Sequence, residues 1–315
     1  MTDFFHQGLG GLAIPLRYEE LDDLGILRVT GGDRQTFLQG QLTQDLLKLE
    51  PSRSLLAGWT NAKGRLLALC QLFARQEEIL LLLPRELLAS VAQRLSMFVL
   101  RADVRIEATE QSVFGLLDLP VEAELALGGL ELAQTPGACA SSPELLLARS
   151  LADSDRALAI GSKSHLEPLL AAAGQRAAPG SWQQAEIAAG LPGIFLTTSE
   201  AFVPQMLNLD LLGAISFTKG CYVGQEVVAR TQNLGRIKRR MFRFRVPGAE
   251  PLQAGDALLN QAGDSAGRVV SSAAVSDARE LLAVVPLSQP RDQLYSADGR
   301  QLELLALPYA VPNPD

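Results

Sequence analysis

Apolar positions alternate with turn signals from Leu24 onward. Residues 24–30 read as a short strand that ends in the turn Gly31-Gly32-Asp33. Asp33 then stands where it can cap a helix, and Phe37, Leu38, Leu42 and Leu46 recur at a spacing that makes one apolar face. Past the turn Asn61-Ala62-Lys63-Gly64, a strand is predicted over 65–73 and another over 79–83, with Gln76-Glu77-Glu78 between them. A helix over 85–98 and a strand around 104–108 follow. Strand, helix, two hairpin strands, helix and strand in that order predict an antiparallel sheet with helices packed on one face.

A looser set comes next: strands at 112–117, 145–149 and 158–160, then a helix over 165–173. Ala177-Ala178-Pro179-Gly180 reads as a turn or hinge. A helix over 182–189 is stopped by Gly190, with Pro192 soon after. Beyond Arg236 the pattern changes. Phe242, Phe244 and Val246 alternate with Arg243 and Arg245, the mark of a half-buried strand. Short strands then alternate with Pro247-Gly248, Gly255-Asp256, Gly263-Asp264 and Asp298-Gly299, which is the punctuation of a small β-barrel or sandwich. A domain boundary is expected near 236–241, and no internal repeat stands out.

Composition narrows the classes. A chain of 315 residues is long enough for two domains, and 47% apolar residues fit a globular protein. The net charge of −7 argues against a general nucleic-acid binder, which needs excess Lys and Arg to neutralise phosphates. The amino terminus has neither a signal-peptide pattern nor the Arg-rich character of a transit peptide. The apolar runs Ile79-Leu80-Leu81-Leu82-Leu83 and Leu145-Leu146-Leu147-Ala148 are too short to span a bilayer. A cytoplasmic location without membrane partners is expected. Cys70, Cys139 and Cys221 lie far apart, and His6 and His165 are the only histidines, which argues against a self-contained zinc or Fe–S site and against disulfides.

The segment richest in chemistry is Lys219-Gly220-Cys221-Tyr222-Val223-Gly224-Gln225-Glu226. Gly220 and Gly224 permit unusual dihedrals and close approach of backbone to a ligand. Lys219 can lower the thiol pKa of Cys221, and Tyr222 can help to polarise it. The other reading is a half-buried structural cysteine in a turn. Neither histidine has a motif that would make it the base for a nucleophilic thiol. A single cysteine supplies one of the four ligands that a cluster commonly takes, so any cluster would need outside thiols.

The run PQMLNLDLLGAISFTKGCYVGQEVVAR resembles the signature of the YgfZ family, folate-binding relatives of the glycine-cleavage T-protein. VTGGDRQTFLQGQLTQDL, NAKGR, LRADV and the carboxy-terminal LPY agree with it, so the resemblance covers most of the chain. It implies an α+β, T-protein-like three-part arrangement: two intertwined ferredoxin-like α+β domains around a central cavity, plus a C-terminal small β-barrel. The matching spans would be 1–110 with 181–236, then 111–180, then 237–315. It further implies binding of tetrahydrofolate or a derivative, and a role supporting Fe–S cluster assembly or repair and Fe–S-dependent tRNA modification. Its partners would be Fe–S proteins or cluster carriers met transiently, with no direct binding of nucleic acid. Cys221 would be the functional thiol beside Lys219 and Tyr222. Leu24, Trp182, Gln205, Asn208, Gly220, Glu226 and Arg230 would meet the folate.

Three departures from the family pattern stand out. Leu24 occupies a position where some relatives carry a second tryptophan. Ala188 replaces a carboxylate that would hold the pteridine, and on a helix Glu186 lies roughly 200° away round the axis. The paired aspartates that follow the hairpin in T-protein, one of them catalytic, fall on Ala68 and Leu69. That argues against the alternative reading, a folate-dependent one-carbon transferase of aminomethyl type. Finally, Arg236, Lys238, Arg239, Arg240, Arg243 and Arg245 form a basic cluster that can meet a polyglutamate tail, an acidic partner or RNA phosphate, or that is simply a solvated strand face. The Gly31-Gly32-Asp33 turn lacks both GxGxxG and GK[ST] and is not read as a phosphate loop.

Overall fold

The computed structural model describes residues 16–120, 124–233, 237–248 and 250–312. His6 and Arg236 lie outside the described residues. Along the chain run β1 (Leu16–Glu20), β2 (Leu24–Thr30), α1 (Arg34–Gln39), β3 (Leu55–Thr60), β4 (Leu66–Arg75), β5 (Glu78–Pro84), α2 (Leu88–Ser96), β6 (Arg105–Ala108) and β7 (Ser112–Leu117). Then come β8 (Leu125–Leu127), β9 (Leu130–Leu132), β10 (Cys139–Ser141), β11 (Leu145–Arg149), β12 (Ala157–Gly161), α3 (Lys163–Ala173), β13 (Gly174–Arg176), α4 (Ser181–Ala188) and α5 (Gln225–Asn233). The carboxy-terminal part adds β14 (Arg239–Pro247), β15 (Ala257–Leu259), β16 (Ser265–Val275), β17 (Ala278–Pro286) and β18 (Glu303–Leu305). The class is α+β, as the sequence pattern predicts. Among the described residues no helix is long and apolar enough to cross a membrane.

Strand orders are β3-β4-β5-β2-β6, β10-β11-β12-β7-β1-β13 and β15-β16-β17-β14-β18, with β8-β9 a separate hairpin. The chain divides into two compact units. One holds Met1–Phe37, Leu46–Leu56 and Cys70–Trp182; the other holds Leu38–Asp45, Ala57–Leu69 and Gln183–Asp315. In the first unit, Leu16, Tyr18, Phe114, Leu116, Leu147 and Leu166 belong to one buried cluster that packs α3 on the six-stranded sheet. In the second, Phe242, Phe244, Val246, Val269, Leu281 and Ala283 fill the inside of the five-stranded antiparallel sheet. β15 and β18 are the edge strands of that sheet; single bridges run from Leu259 of β15 to Tyr295 and from Tyr295 to Gln301, two residues before β18, and no ladder joins the two edges among the described residues.

Two helices differ from the sequence pattern. The helix after Asp33 stops at Gln39, because Leu42 bridges Trp59 and the Thr43 N–H donates to Gly58 O at 2.8 Å. Its apolar spacing continues past the helix because Leu42 and Leu46 are core residues for another reason, both being wholly buried. The Asp33 carboxylate does not cap the helix; it accepts the Asp103 N–H at 2.8 Å. The helix predicted over 85–98 starts with a 3-10 turn at Arg85–Leu87 and is regular only from Leu88 to Ser96.

Candidate functional site

The lysine of the motif is turned inward. Lys219 is 9% exposed, and its ammonium donates to the carbonyls of Gln39 at 2.6 Å, Leu42 at 2.7 Å and Gln44 at 2.8 Å. An ammonium has three N–H donors, so all three are taken and none remains for the thiol. Burial lowers its pKa to about 8, against the opposing pull of Asp45. The ring of Tyr222 lies 5.2 Å from the ammonium, close enough for a cation–π contact. Tyr222 is itself buried, which pushes its phenol up to about 12. The geometry therefore makes Lys219 and Tyr222 a clamp holding this loop to the segment 39–44.

The second half of the motif is locked to the hairpin turn at 61–64. The Asn61 side-chain oxygen accepts the N–H groups of Lys63 and Arg65, and the Gly64 N–H donates to Asn61 O at 2.8 Å. Gly224 has φ +82, and a Cβ there would lie 2.4 Å from Asn61 O. Gly64 has φ +66, and a Cβ there would lie 2.8 Å from Val227 Cβ. Only glycine satisfies both demands. The Thr60 hydroxyl completes the joint by donating to Val223 O at 2.6 Å. NAKGR and YVGQE are thus two faces of one contact, which their separation in sequence conceals.

Between these anchors Gly220 and Cys221 are exposed. Cys221 is not the half-buried structural cysteine of the alternative reading. The other two thiols are held by the fold: burial pushes Cys70 and Cys139 up to about 12. Glu226 and Arg230, one helical turn apart on α5, are exposed too, and neither has a partner among the described residues.

Gln205 and Asn208 are wholly buried at a 3-10 turn, Pro204–Leu207. The Gln205 amide donates to Val228 O at 2.8 Å, and the Asn208 amide to Met241 O at 2.9 Å. Gln205 Oε1 and Asn208 Oδ1 accept no hydrogen bond among the described residues. Two buried acceptors are thus left without donors, and N–H groups are what would satisfy them. Leu24, the half-buried first residue of β2, and Ala188 offer no such group. Glu186 is already engaged with a partner. Trp182 belongs to the first unit, where its ring lies on Gly115; a Cβ there would come within 2.3 Å of it. The Arg156 guanidinium stands 5.0 Å from the indole centroid.

Several residues set this geometry through contacts that the sequence does not show locally. Glu19 accepts the N–H groups of Gly180 and Trp182 at 2.5 and 2.7 Å and fixes the turn before α4. Arg240 forms a buried two-pronged pair with Asp210 at 2.6 and 2.8 Å and donates to Gln205 O at 3.0 Å. Tyr309 of the LPY sequence donates to Gly190 O at 2.8 Å. Three members of the basic cluster are paired: Arg240 with Asp210, Arg243 with Glu280, and Arg245 with Asp277 at 3.8 Å. Lys238 and Arg239 remain exposed. No group of three or more His, Cys, Asp or Glu residues among the described residues is placed to hold a metal ion.

No protein-family model matches the chain. It is 31% identical to the tRNA-modifying protein YgfZ of Edwardsiella ictaluri over 95% of this chain and 94% of that protein. It is 30% identical to that of Klebsiella pneumoniae over 95% and 94%, and 31% identical to that of Colwellia psychrerythraea over 78% and 76%. Among solved structures it resembles glycine cleavage system aminomethyltransferase T from Bartonella henselae, with a TM-score of 0.73 over 94% of this chain and 86% of that one. Identity there is 15%, so the likeness is one of fold.

Proposed function

This chain belongs to the YgfZ family, and we propose that it serves tRNA modification by presenting Cys221 as a working thiol to Fe–S proteins or cluster carriers, with tetrahydrofolate or a derivative as its ligand. The observation that carries this reading is the exposed Cys221 on a loop clamped at both ends, by Lys219 on one side and by Gly224 on the other. One thiol without a histidine base is poorly equipped to run a reaction alone, and it supplies one of a cluster's usual four ligands. It suits a partner that brings the remaining ligands.

Gln205 and Asn208 would hold the folate through their unsatisfied amide oxygens, within the three-part arrangement expected of the family. Folate itself would supply a bound one-carbon carrier or a flat, reduced pterin. Transfer of an aminomethyl group is the second reading, favoured by the likeness in fold to an aminomethyltransferase. Against it, Ala68 and Leu69 are apolar and buried where that activity needs a carboxylate.

Two measurements test the proposal. In a cell lacking the protein, Cys221→Ala should accumulate as folded protein yet leave Fe–S-dependent tRNA modification at the level of the deletion. Full rescue would remove the thiol from the function. Calorimetric titration of the purified chain with tetrahydrofolate should give saturable heat, lost in Gln205→Leu. No heat from the unaltered chain would mean a scaffold that has given up folate.

A further inference from the structure

The orphaned acceptors of Gln205 and Asn208 lie on wholly buried side chains. A ligand reaches them only if a covering segment moves. The Asn208 amide donates to two groups, Met241 O at 2.9 Å and the Tyr309 hydroxyl at 3.4 Å. These two neighbours are held very differently. Met241 belongs to β14, whose every residue from Arg239 to Pro247 pairs with β17. Tyr309 belongs to the tail beyond β18, and the backbone of residues 306–312 makes no hydrogen bond among the described residues. A segment tied only by side chains opens locally at far less cost than a paired strand.

The tail nevertheless has a built seat. Gly190, two residues past α4, has φ +68, and a Cβ there would lie 2.8 Å from Leu307 Cδ2 and 2.9 Å from the Tyr309 hydroxyl. The glycine thus makes room for the tail as well as for the turn. The Tyr309 hydroxyl donates to Gly190 O at 2.8 Å while it accepts the Asn208 N–H, so one group joins two segments. Val311 packs against the core of the five-stranded antiparallel sheet. We propose that residues 306–312 are a lid over the Asn208 end of the ligand site, latched by Tyr309, and that the ligand enters when the lid swings away. The lid rests on the folate reading above. Withdrawal of Tyr309 frees Gly190 O and one N–H of Asn208, next to the orphaned Asn208 Oδ1. That set offers two acceptors for the amino and ring N–H groups of a pterin and one donor for its ring carbonyl.

The test is stopped-flow binding of tetrahydrofolate to the full chain, to Tyr309→Phe and to a chain that ends at Leu305. Tyr309→Phe keeps the ring and removes both hydrogen bonds of the hydroxyl. A larger open fraction raises the apparent association rate in proportion, so this variant should bind about ten-fold faster at the same ligand concentration. The shortened chain should bind faster still, and binding by the shortened chain alone would mean a latch too tight for the parent to open. If the shortened chain does not fold, Tyr309→Phe decides by itself. Parent-like rates in the variants overturn the lid and leave the folate reading standing. Slower binding by Tyr309→Phe also overturns the lid, since it makes the hydroxyl a ligand contact or a plain structural tie. No binding by any form overturns the folate reading and the lid with it.

Discussion

If Lys219 is a clamp and not an activator of the thiol, Lys219→Met should weaken the fold and leave Cys221 chemically unchanged. The substitution keeps the aliphatic stem and removes the donors to Gln39, Leu42 and Gln44. Each orphaned buried carbonyl costs about 1–3 kcal/mol, so three cost roughly 6 kcal/mol. The ammonium carries its own penalty. Its pKa drops from 10.5 to about 8, and at 1.36 kcal/mol per unit its relief returns about 3 kcal/mol. The net expectation is a loss of about 3 kcal/mol, read from the shift of the urea unfolding midpoint at constant slope. Lys219→Arg should also lose stability, since a planar fork cannot serve three converging carbonyls. The second readout is the pH dependence of Cys221 alkylation. It should be the same in both proteins if the ammonium, tied to three carbonyls, serves the fold and not the thiol. A stability change below about 0.5 kcal/mol, the usual size for an innocuous surface change, would refute the clamp. A change in that pH dependence on Lys219→Met would refute the inertness of the lysine.

The same lysine gives a pH signature. Its folded pKa lies below its unfolded value, so the unfolded chain binds more protons between about pH 8 and 10.5. The stability difference between the parent and Lys219→Met should therefore widen as pH rises through that window; a flat difference in urea melts across it would contradict the burial effect. A thiol reagent at pH 8 should find one fast cysteine, absent in Cys221→Ser, because Cys70 and Cys139 are held near 12; three equal rates would refute this. Gly220→Ala should leave the melting temperature unchanged, since a Cβ there meets nothing within 4 Å, whereas Gly224→Ala should lower it sharply. Equal melting temperatures for the two would undo the lock between the motif and the hairpin. Arg240→Met should cost about 3–5 kcal/mol by leaving Asp210 buried without its partner, measured by the same urea titration.

The elements most legible in the sequence are those whose pairing is local or whose apolar run is dense. β2, β7 and β11 match the predicted spans residue for residue. β1 gives a weaker signal, five residues with Leu16 and Tyr18 inward, and its partners lie at Phe114–Leu117 and Gly174–Arg176. Strand character of that kind comes from remote neighbours and not from the strand itself. The helix through Leu42 and Leu46 failed for the same reason. Their burial is real, but Thr43 is recruited by Gly58 and Ala214.

The candidate site follows that rule at the level of single side chains. The residue types and spacing of KGCYVGQE are visible at once; the direction in which each side chain points is not. Lys219 faces carbonyls 175 to 180 positions earlier in the chain. Arg240 faces an aspartate 30 positions earlier, and Arg243 a glutamate 37 positions later. A cation beside a thiol therefore looks like an activator in one dimension and is a structural tie in three. The two glycines divide in the same way. Gly224 is demanded by the hairpin it touches, while Gly220 has neither a left-handed φ nor a neighbour within 4 Å. No demand of the fold accounts for a missing side chain there. What remains is the space beside the exposed sulfur of Cys221. If that space admits a bulky partner, Gly220→Ala will react normally with small thiol reagents yet fail to restore tRNA modification. If Gly220→Ala restores it fully, the motif's first glycine has no part in the function proposed for Cys221.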